Sequence, residues 1–584
     1  MNKMKKKNLI RFFKIVIKKN IFNIIVAFSI IMIVSILNLC LPQITKNILD
    51  NAIKNGNINM LFKLIGLYTI ISLTSSFLSI ALEYMYSKMK NKISITFKIK
   101  IIKHLSKLSG DYYTNIKTGN ILNILEDDIH VIEGLGAELI FSIIVDFFTA
   151  LVSFIILMKM QSDLLSIIIL LQILIMYSQS KFTRLIAKKS DEIRVCAGEV
   201  ANINQEYVSN IMNIIISKTN IKFFRQYLKK ERNMIKARMV MDRLFSMSRA
   251  TGNVFSSFIS IIIYGYGGYN IIKGDMSFGE LIAFQQYIGM LISPCMNIIR
   301  SNISIQQAKT SINHIFTILD EPINISNNNC GIRCMKSFKG DIIFDNVTFS
   351  YDNKCNIIKN MNLSFENGKI TALVGSSGCG KSTIAKLLFR LWDVENGEII
   401  VDRIPIKEYN LKDIRKNISI ITQDLLLFDD TIINNIKPYN KFIDKEFLLR
   451  VCKSTGINEF IDSLPNGFNT IVGEKGIKLS GGQKQRISIA RSLLSDSKII
   501  VFDEATSALD NISQNIVLEN IKEFLINKTV IVIAHRLSTI KKSDKIYVIY
   551  EGRVVEEGSH EELISNKYIY HNLINEKSLE GFFA

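Results

Sequence analysis

Ile21 to Leu41 is a run of 21 residues without one charged side chain. A segment that apolar is stable out of water only if its backbone bonds internally, as a helix does. At 1.5 Å per residue it reaches about 30 Å, the thickness of a bilayer's hydrocarbon core. The flank settles its orientation: residues 1–20 carry seven Lys and one Arg and no acid, an asymmetry that keeps the N-terminus cytoplasmic. A cleaved signal peptide would need a small-x-small site after the run, and none follows. Bulky Leu39 before Cys40 argues against a lipoprotein site. The reading is an uncleaved first span preceded by a basic amphipathic helix on the membrane surface.

Five more apolar windows complete a six-span region at 21–41, 61–83, 138–158, 164–180, 254–272 and 281–299. The connections at 50–60, 159–163 and 273–280 are short. Those at 84–137 and 181–253 are long and Lys-rich, and residues 88–107 alone hold Lys88, Lys90, Lys92, Lys98, Lys100, Lys103 and Lys107. Positive loops stay inside, so the long connections are cytoplasmic and the short ones external. Apolar residues at three- and four-residue spacing through 95–108 and 121–132 extend the helices into the cytoplasm. They turn near Asp111–Gly119 and Ser209–Thr219, where they could dock on a soluble domain. The net charge of +20 is thereby explained by topology, and nucleic acid is not expected as a partner. Eight scattered cysteines without CxxC spacing imply free thiols, including the closest pair, Cys330 and Cys334. Ser142, Asp146, Thr149 and Ser153 share one face of the third span. Asp146 either lines a path favouring cationic cargo or makes a polar contact between helices. Tyr264, Tyr266 and Tyr269 read as an interfacial belt.

Residues 321–340 form a polar linker with Pro322, an Asn triplet and Gly331. Beyond it, strands and helices alternate, the pattern of an α/β sheet. Gly375-Ser376-Ser377-Gly378-Cys379-Gly380-Lys381-Ser382 lies between an apolar strand at 370–374 and an amphipathic helix opening at Thr383. Glycines let successive N–H groups point at an anion, and the helix adds its positive end. Lys381 then reaches the outer phosphates and the Ser382 hydroxyl is placed to ligate Mg²⁺. A second apolar strand, 498–502, ends in Asp503 and Glu504. At the carboxyl end of a parallel sheet, Asp503 is the expected Mg²⁺ partner and Glu504 the base for an attacking water. Capping of a following helix is the plainer use of those two acids. Ser480, Gly481, Gly482 and Gln483 open another helix, either as an N-cap with flexible glycines or as a second anion site.

These motifs, in this order, resemble the ATP-binding-cassette family. Leu479-Ser-Gly-Gly-Gln483 is similar to its signature sequence and continues through Lys484-Gln485-Arg486 to Ile489-Ala490-Arg491. Gln423 resembles the Q-loop glutamine, Asp510 the D-loop aspartate and His535 the switch histidine. Thr470–Gly476 resembles the exporter loop that contacts membrane helices, and Gly274–Glu280 belongs to the weaker membrane-domain likeness. Ser497, in place of a common proline, and Leu425 depart from the pattern without removing a ligand. The resemblance implies an all-α six-helix transmembrane domain (1–320), the linker, and an α/β P-loop ATPase domain with a helical subdomain (341–584). It implies catalytic roles for Glu504, His535 and Gln423 and Mg²⁺ ligands at Ser382, Gln423 and Asp503. ATP would be held by Tyr351 against adenine, by Gly375 to Thr383, and across a dimer by Ser480 to Gln483 and Asp510.

One membrane region and one cassette make half a transporter, so the resemblance implies a second copy or a related partner, the homodimer coming first. The expected activity is ATP-driven export of amphipathic small molecules, peptides or lipids by a multi-pass cell-membrane protein whose N-terminus and ATPase domain are cytoplasmic. An importer of metal chelates and a non-transporting ATP-binding regulatory subunit are the alternatives. Twenty residues before the first span leave no room for a leader-peptide protease.

Overall fold

The computed structural model describes residues 2–580 except 117, 326–331, 334–337, 352–354, 423–424, 438–442, 504–510 and 534–539. It divides into two compact units. One comprises 1–106 and 117–321; the other comprises 107–116 and 322–584.

The first unit is helical. Among the described residues, six helices of 42 to 55 residues are long and apolar enough to cross a membrane: Lys7–Ile53, Ile58–Leu105, Gly119–Met160, Ser162–Ile216, Asn220–Lys273 and Phe278–Leu319. Each apolar window lies within one of them. At 1.5 Å per residue they run about 60 to 80 Å, roughly twice the hydrocarbon thickness, so much of each lies outside the bilayer. The basic N-terminal segment does not form a separate surface helix. Asn2–Asn47 is continuous, because Phe12 and Val16 are drawn into a core with Ile93, Phe97, Ile312 and Phe316. Burying those side chains outweighs laying the segment on the membrane.

A second core gathers Leu157, Leu164, Ile263, Phe284 and Tyr287, and the Tyr287 hydroxyl donates to the Leu39 carbonyl at 2.8 Å. The turn at 273–280 is built by capping. Gly274 ends one helix in the left-handed region at φ +86°, and Ser277 starts the next with a reciprocal capping box to Glu280. Asp50 accepts from the Gly279 N–H at 3.0 Å, and Lys46 pairs with Glu280 at 2.8 Å. The third helix is widened by π-turns at Ile124–Asp128 and Leu135–Leu139. Asp128 there accepts from Ser311 at 2.6 Å and meets His314 at 2.9 Å.

The polar stripe on the third helix does not act as one surface. Ser142 and Thr149 donate back to their own helix, Ser153 is fully buried, and Asn297 of the sixth helix lies near Asp146.

Among its described residues the second unit has ten strands: β1 Ile342–Phe349, β2 Ile358–Phe365, β3 Ile370–Gly375, β4 Asn396–Val401, β5 Ile404–Pro405, β6 Ile418–Ile421, β7 Ile499–Asp503, β8 Thr529–Ile533, β9 Lys545–Tyr550 and β10 Arg553–Gly558. They form a four-stranded sheet, β2-β1-β4-β5, and a six-stranded sheet, β10-β9-β3-β8-β7-β6. The inner pairs of the larger sheet are parallel. Its strands are continuous apolar runs because both faces are covered. Ile499, Val501, Ile531 and Ile533 point into one core; Ile500, Phe502, Val530 and Val532 point into the other. This is the period-two alternation of a strand buried on both sides. The first core joins the two sheets. The second carries the helices Lys445–Ser454, Asn458–Asp462 and Gly481–Leu494.

The end of the 321–340 segment packs on the second unit. Phe338 meets Tyr409 edge-on at 6.1 Å, and Asp402 accepts from the backbone of Lys339, Gly340 and Asp341. The six described cysteines are free thiols; Cys330 and Cys334 lie outside the described residues. Burial pushes the Cys452 thiol up to about 11, so it stays protonated and packs as a small apolar group.

Candidate functional site

β3 ends in the glycine-rich loop. A Cβ on Gly375 would stand 2.2 Å from the Ile549 carbonyl oxygen, so no side chain fits where β3 passes β9. Gly380 has φ +105° and immediately precedes the helix Lys381–Leu388. The chain must make this left-handed turn for the first helical N–H groups to open onto the loop, and glycine makes it without steric cost. Lys381 is only 5% exposed. Its ammonium curls over the loop and donates to the Gly375 and Ser376 carbonyls at 2.9 and 2.8 Å.

Ser382 donates to Asp503 Oδ1 at 3.0 Å. Sheet register brings them together: Leu373 of β3 and Asp503 of β7 both pair with Ile533 of β8. One intervening strand sets β3 and β7 about 10 Å apart, a gap that two side chains can bridge. Tyr351 lies beside the same helix, its hydroxyl 3.2 Å from Thr383 Oγ1 and its ring edge-on to Phe349 and Trp392.

The loop can hold a phosphate chain through backbone N–H groups, the helix dipole and the Lys381 charge. Ser382 and Asp503 supply hard oxygen donors, which suit Mg²⁺. Gln423, Glu504, Asp510 and His535 lie outside the described residues.

Ser480 caps the helix Gly481–Leu494. Its side chain accepts from the Gln483 N–H at 3.3 Å, and Gln483 Oε1 accepts from the Ser480 N–H at 2.8 Å. Among the described residues, no hydrogen bond joins Ser480–Gln483 to Gly375–Thr383. Within this helix Arg491 donates to the Leu426 carbonyl at 3.0 Å and to the Asn435 carbonyl at 2.7 Å. Asn435 in turn exchanges bonds with the Phe428 backbone. The signature helix is therefore tied to the segment that follows Gln423. Thr431 caps the helix Ile432–Ile436 that follows, and Asp430 accepts from Asn434 and from the Thr431 N–H, bonds that hold its carboxyl below the usual carboxylate range.

The sequence matches the ABC transporter family over residues 358–507 and the ABC transporter transmembrane region over residues 24–295. It is 31% identical over 560 residues to the ATP-dependent lipid A-core flippase of Desulfotalea psychrophila (strain LSv54 / DSM 12343), covering 94% of this chain and 96% of that protein. The chain belongs to the ABC transporter family. A Staphylococcus aureus (strain NCTC 8325 / PS 47) protein, named provisionally for multidrug export, is 32% identical over 499 residues, covering 85% of this chain and 86% of that one. The solved structure of a bacterial Atm1-family ABC exporter with ATP bound superposes with a TM-score of 0.83 at 25% identity, covering 96% of this chain and 98% of that one. This ABC transporter is accordingly a multi-pass membrane protein with the exporter fold, whose cassette binds ATP and couples its hydrolysis to transport.

One contact escaped the motif reading of this transporter. The short helix Gly110–Asn115 belongs to the second unit. There the Gly110 N–H donates to the Leu391 carbonyl at 2.9 Å, and the Trp392 indole N–H donates to Asp111 Oδ1 at 2.5 Å. A Cβ on Gly110 would sit 2.1 Å from the Trp392 ring, so this close approach admits only glycine. The turn near Asp111–Gly119 was expected to dock on a soluble domain, but nothing in the sequence singled out Trp392, the chain's single tryptophan, as its partner.

Proposed function

We propose that two copies of this chain form an exporter whose ATP sites each combine one copy's phosphate loop with the other copy's Ser480–Gln483. The observation that carries this reading is the separation within one chain of two complementary anion-facing surfaces. One is the Gly375–Thr383 cradle with Asp503, the other the capped N-terminus at Ser480, and no hydrogen bond joins them among the described residues. A further support is the apolar turn between the fourth and fifth long helices, where Met212, Ile216, Ile221 and Phe224 are 60 to 77% exposed. Outside lipid, such a surface needs a partner.

In this reading Gly375 to Thr383 hold the phosphates of ATP, Lys381 neutralises their outer charge and Tyr351 carries the adenine. Ser382, Asp503 and Gln423 would hold Mg²⁺, which when bound screens phosphate charge and polarises the terminal phosphorus. Glu504 orients a water and takes its proton, while His535 and Gln423 position that water against the γ-phosphate. Ser480, Gly481, Gly482 and Gln483 close over the same phosphate from the partner, with Asp510 supporting the interface.

Closure uses the nucleotide as a shared ligand, and loss of the γ-phosphate releases it. Motion is passed on where Asp111 and Gly110 meet Trp392, because that turn is continuous with the second and third long helices. The long connections and the cassette are cytoplasmic, and the cargo is an amphipathic molecule such as a lipid or drug.

ATP hydrolysis by purified protein in proteoliposomes, with Glu504→Gln as control, tests the enzymatic half. ATP-dependent uptake into inverted vesicles tests direction. A Glu504→Gln rate equal to wild type would remove the assigned base. Accumulation in right-side-out vesicles would reverse the direction.

A further inference from the structure

Trp392 touches more than the docking turn. Its indole packs edge-on against Tyr351 at 5.0 Å between ring centroids and against Phe349 at 6.4 Å. Tyr351 and Phe349 meet edge-on at 5.1 Å, so the three rings close on one another. The backbone beside them is pinned as well. Glu395 accepts from the Ser350 N–H at 3.1 Å and from the Ser350 hydroxyl at 2.5 Å, and its own N–H donates to the Thr348 carbonyl at 3.1 Å.

Two surfaces therefore meet through one side chain. On one side the indole N–H reaches Asp111 and the ring lies against Gly110. On the other side it abuts Tyr351, whose hydroxyl lies 3.2 Å from Thr383 Oγ1 in the phosphate-loop helix. Trp392 is 8% exposed, and a side chain that buried cannot shift at one contact without disturbing the other. The Lys386 ammonium stands 5.9 Å from the Tyr351 centroid, at the outer limit of a cation–π contact. Ring packing rather than charge thus sets the tyrosine's orientation. Tyr351 itself is only half-buried, and an aromatic surface of that kind can stack a flat ring.

We propose that Trp392 is a positioning residue for the base of the nucleotide: it holds Tyr351 in place and, by carrying the 107–116 turn on the same indole, ties the base to the docked state of that turn. The inference rests on the reading of Tyr351 as the adenine platform and adds a regulation of that site. The phosphates are gripped by Gly375–Thr383 whether or not the turn is docked; the base is the part of ATP that the turn reads. Such coupling is reciprocal. If docking orders Tyr351 for the base, the base strengthens docking by the same factor.

The test uses the full chain in lipid nanodiscs without Mg²⁺, so that nothing is hydrolysed. The probes are ATP and inorganic tripolyphosphate, which has no base. Hydrogen–deuterium exchange of the 107–116 segment reads docking, because the Gly110 N–H is bonded to Leu391 there. In the unaltered protein, saturating ATP should slow that exchange and saturating tripolyphosphate should not. Equal slowing by both, or none by ATP, would overturn the proposal.

Competition against radiolabelled ATP gives the affinity ratio of ATP to tripolyphosphate, which isolates what the base and its ribose add. Trp392→Leu should lower that ratio about two- to tenfold, the weight of an edge-on ring pair, with tripolyphosphate affinity unchanged. Trp392→Phe keeps a ring beside Tyr351 but has no donor for Asp111. It should keep most of the ratio while losing the ATP-specific slowing of exchange. A merely structural role for the indole would lower both affinities together and leave the ratio as it was, which would also overturn the proposal. Tyr351→Leu separates this inference from the reading beneath it. A ratio unchanged by Tyr351→Leu would remove the adenine platform itself. A ratio lowered by Tyr351→Leu but not by Trp392→Leu would leave the platform standing and sink the role given to Trp392.

Discussion

Replacing Asp111 by Ala tests how the cassette is linked to the membrane helices. Trp392 is 8% exposed and its indole N–H ends on the Asp111 carboxylate at 2.5 Å. Removing that acceptor leaves a buried donor without its charged partner, a loss of about 1.5 to 3 kcal/mol. The docked state of the 107–116 turn should weaken by about 10- to 150-fold. Asp111→Asn keeps a neutral acceptor and should lose roughly half as much. Because Trp392 is the single tryptophan, its emission reports the contact directly. Asp111→Ala should shift emission to the red and quench cargo-stimulated ATPase, while nucleotide binding at the phosphate loop persists. Gly110→Ala attacks the same contact sterically, since its Cβ would lie 2.1 Å from the indole. Emission and transport per ATP identical to wild type in both variants would refute the reasoning.

Other expectations follow from the geometry. Lys381→Ala removes the buried ammonium from the phosphate loop and should weaken ATP binding at least about tenfold, measured with a fluorescent analogue. Glu504→Gln should abolish turnover in a phosphate-release assay while ATP still binds, so a loss of binding instead would argue for a structural role. Arg491→Ala frees the signature helix from Leu426 and Asn435 and should lower ATPase activity more than ATP affinity. Asp320 is held below the usual carboxylate range chiefly by its hydrogen bonds from Arg11 at 2.7 and 2.8 Å. Its folded-state pKa is depressed, so the stabilisation is present above the ordinary carboxylate range and disappears as pH falls through the folded value. Both partners are over 40% exposed, so solvent screening keeps the effect under about 1 kcal/mol. Asp320→Asn should therefore lower the melting temperature slightly at neutral pH, with the difference vanishing in acid.

The legible parts of this molecule are those in which chemistry demands one residue type at one place. The Gly375–Ser382 octet must be a loop between strand and helix because nothing else fits Gly375 against Ile549 or turns left-handed at Gly380. The charge-free window 21–41 could only be a span or a deep core. The continuity of Asn2–Asn47 was not legible. Local amphipathicity and basic charge describe a surface helix equally well, and tertiary burial of Phe12 and Val16 decides. The use of the Ser142–Ser153 stripe was not legible for a related reason. Helical spacing shows that side chains share a face, but not that they act together: the Ser142 and Thr149 hydroxyls satisfy themselves within their own helix. The contact between Asp111 and Trp392 joins residues 281 positions apart, a distance that no periodicity spans.

The account turns on one site being shared by two chains, and paired defects test it. Lys381→Ala disables one copy's phosphate loop; Ser480→Arg disables the other copy's capping surface. Each variant alone forms dimers with no intact composite site. Co-expressed with different tags and isolated as mixed dimers, they leave one intact pair: the phosphate loop of the Ser480→Arg copy against the signature of the Lys381→Ala copy. ATP hydrolysis should reappear in that fraction alone, at up to about half the wild-type rate for one site of two. Mixed dimers that form but remain as inactive as either parent would contradict the shared site.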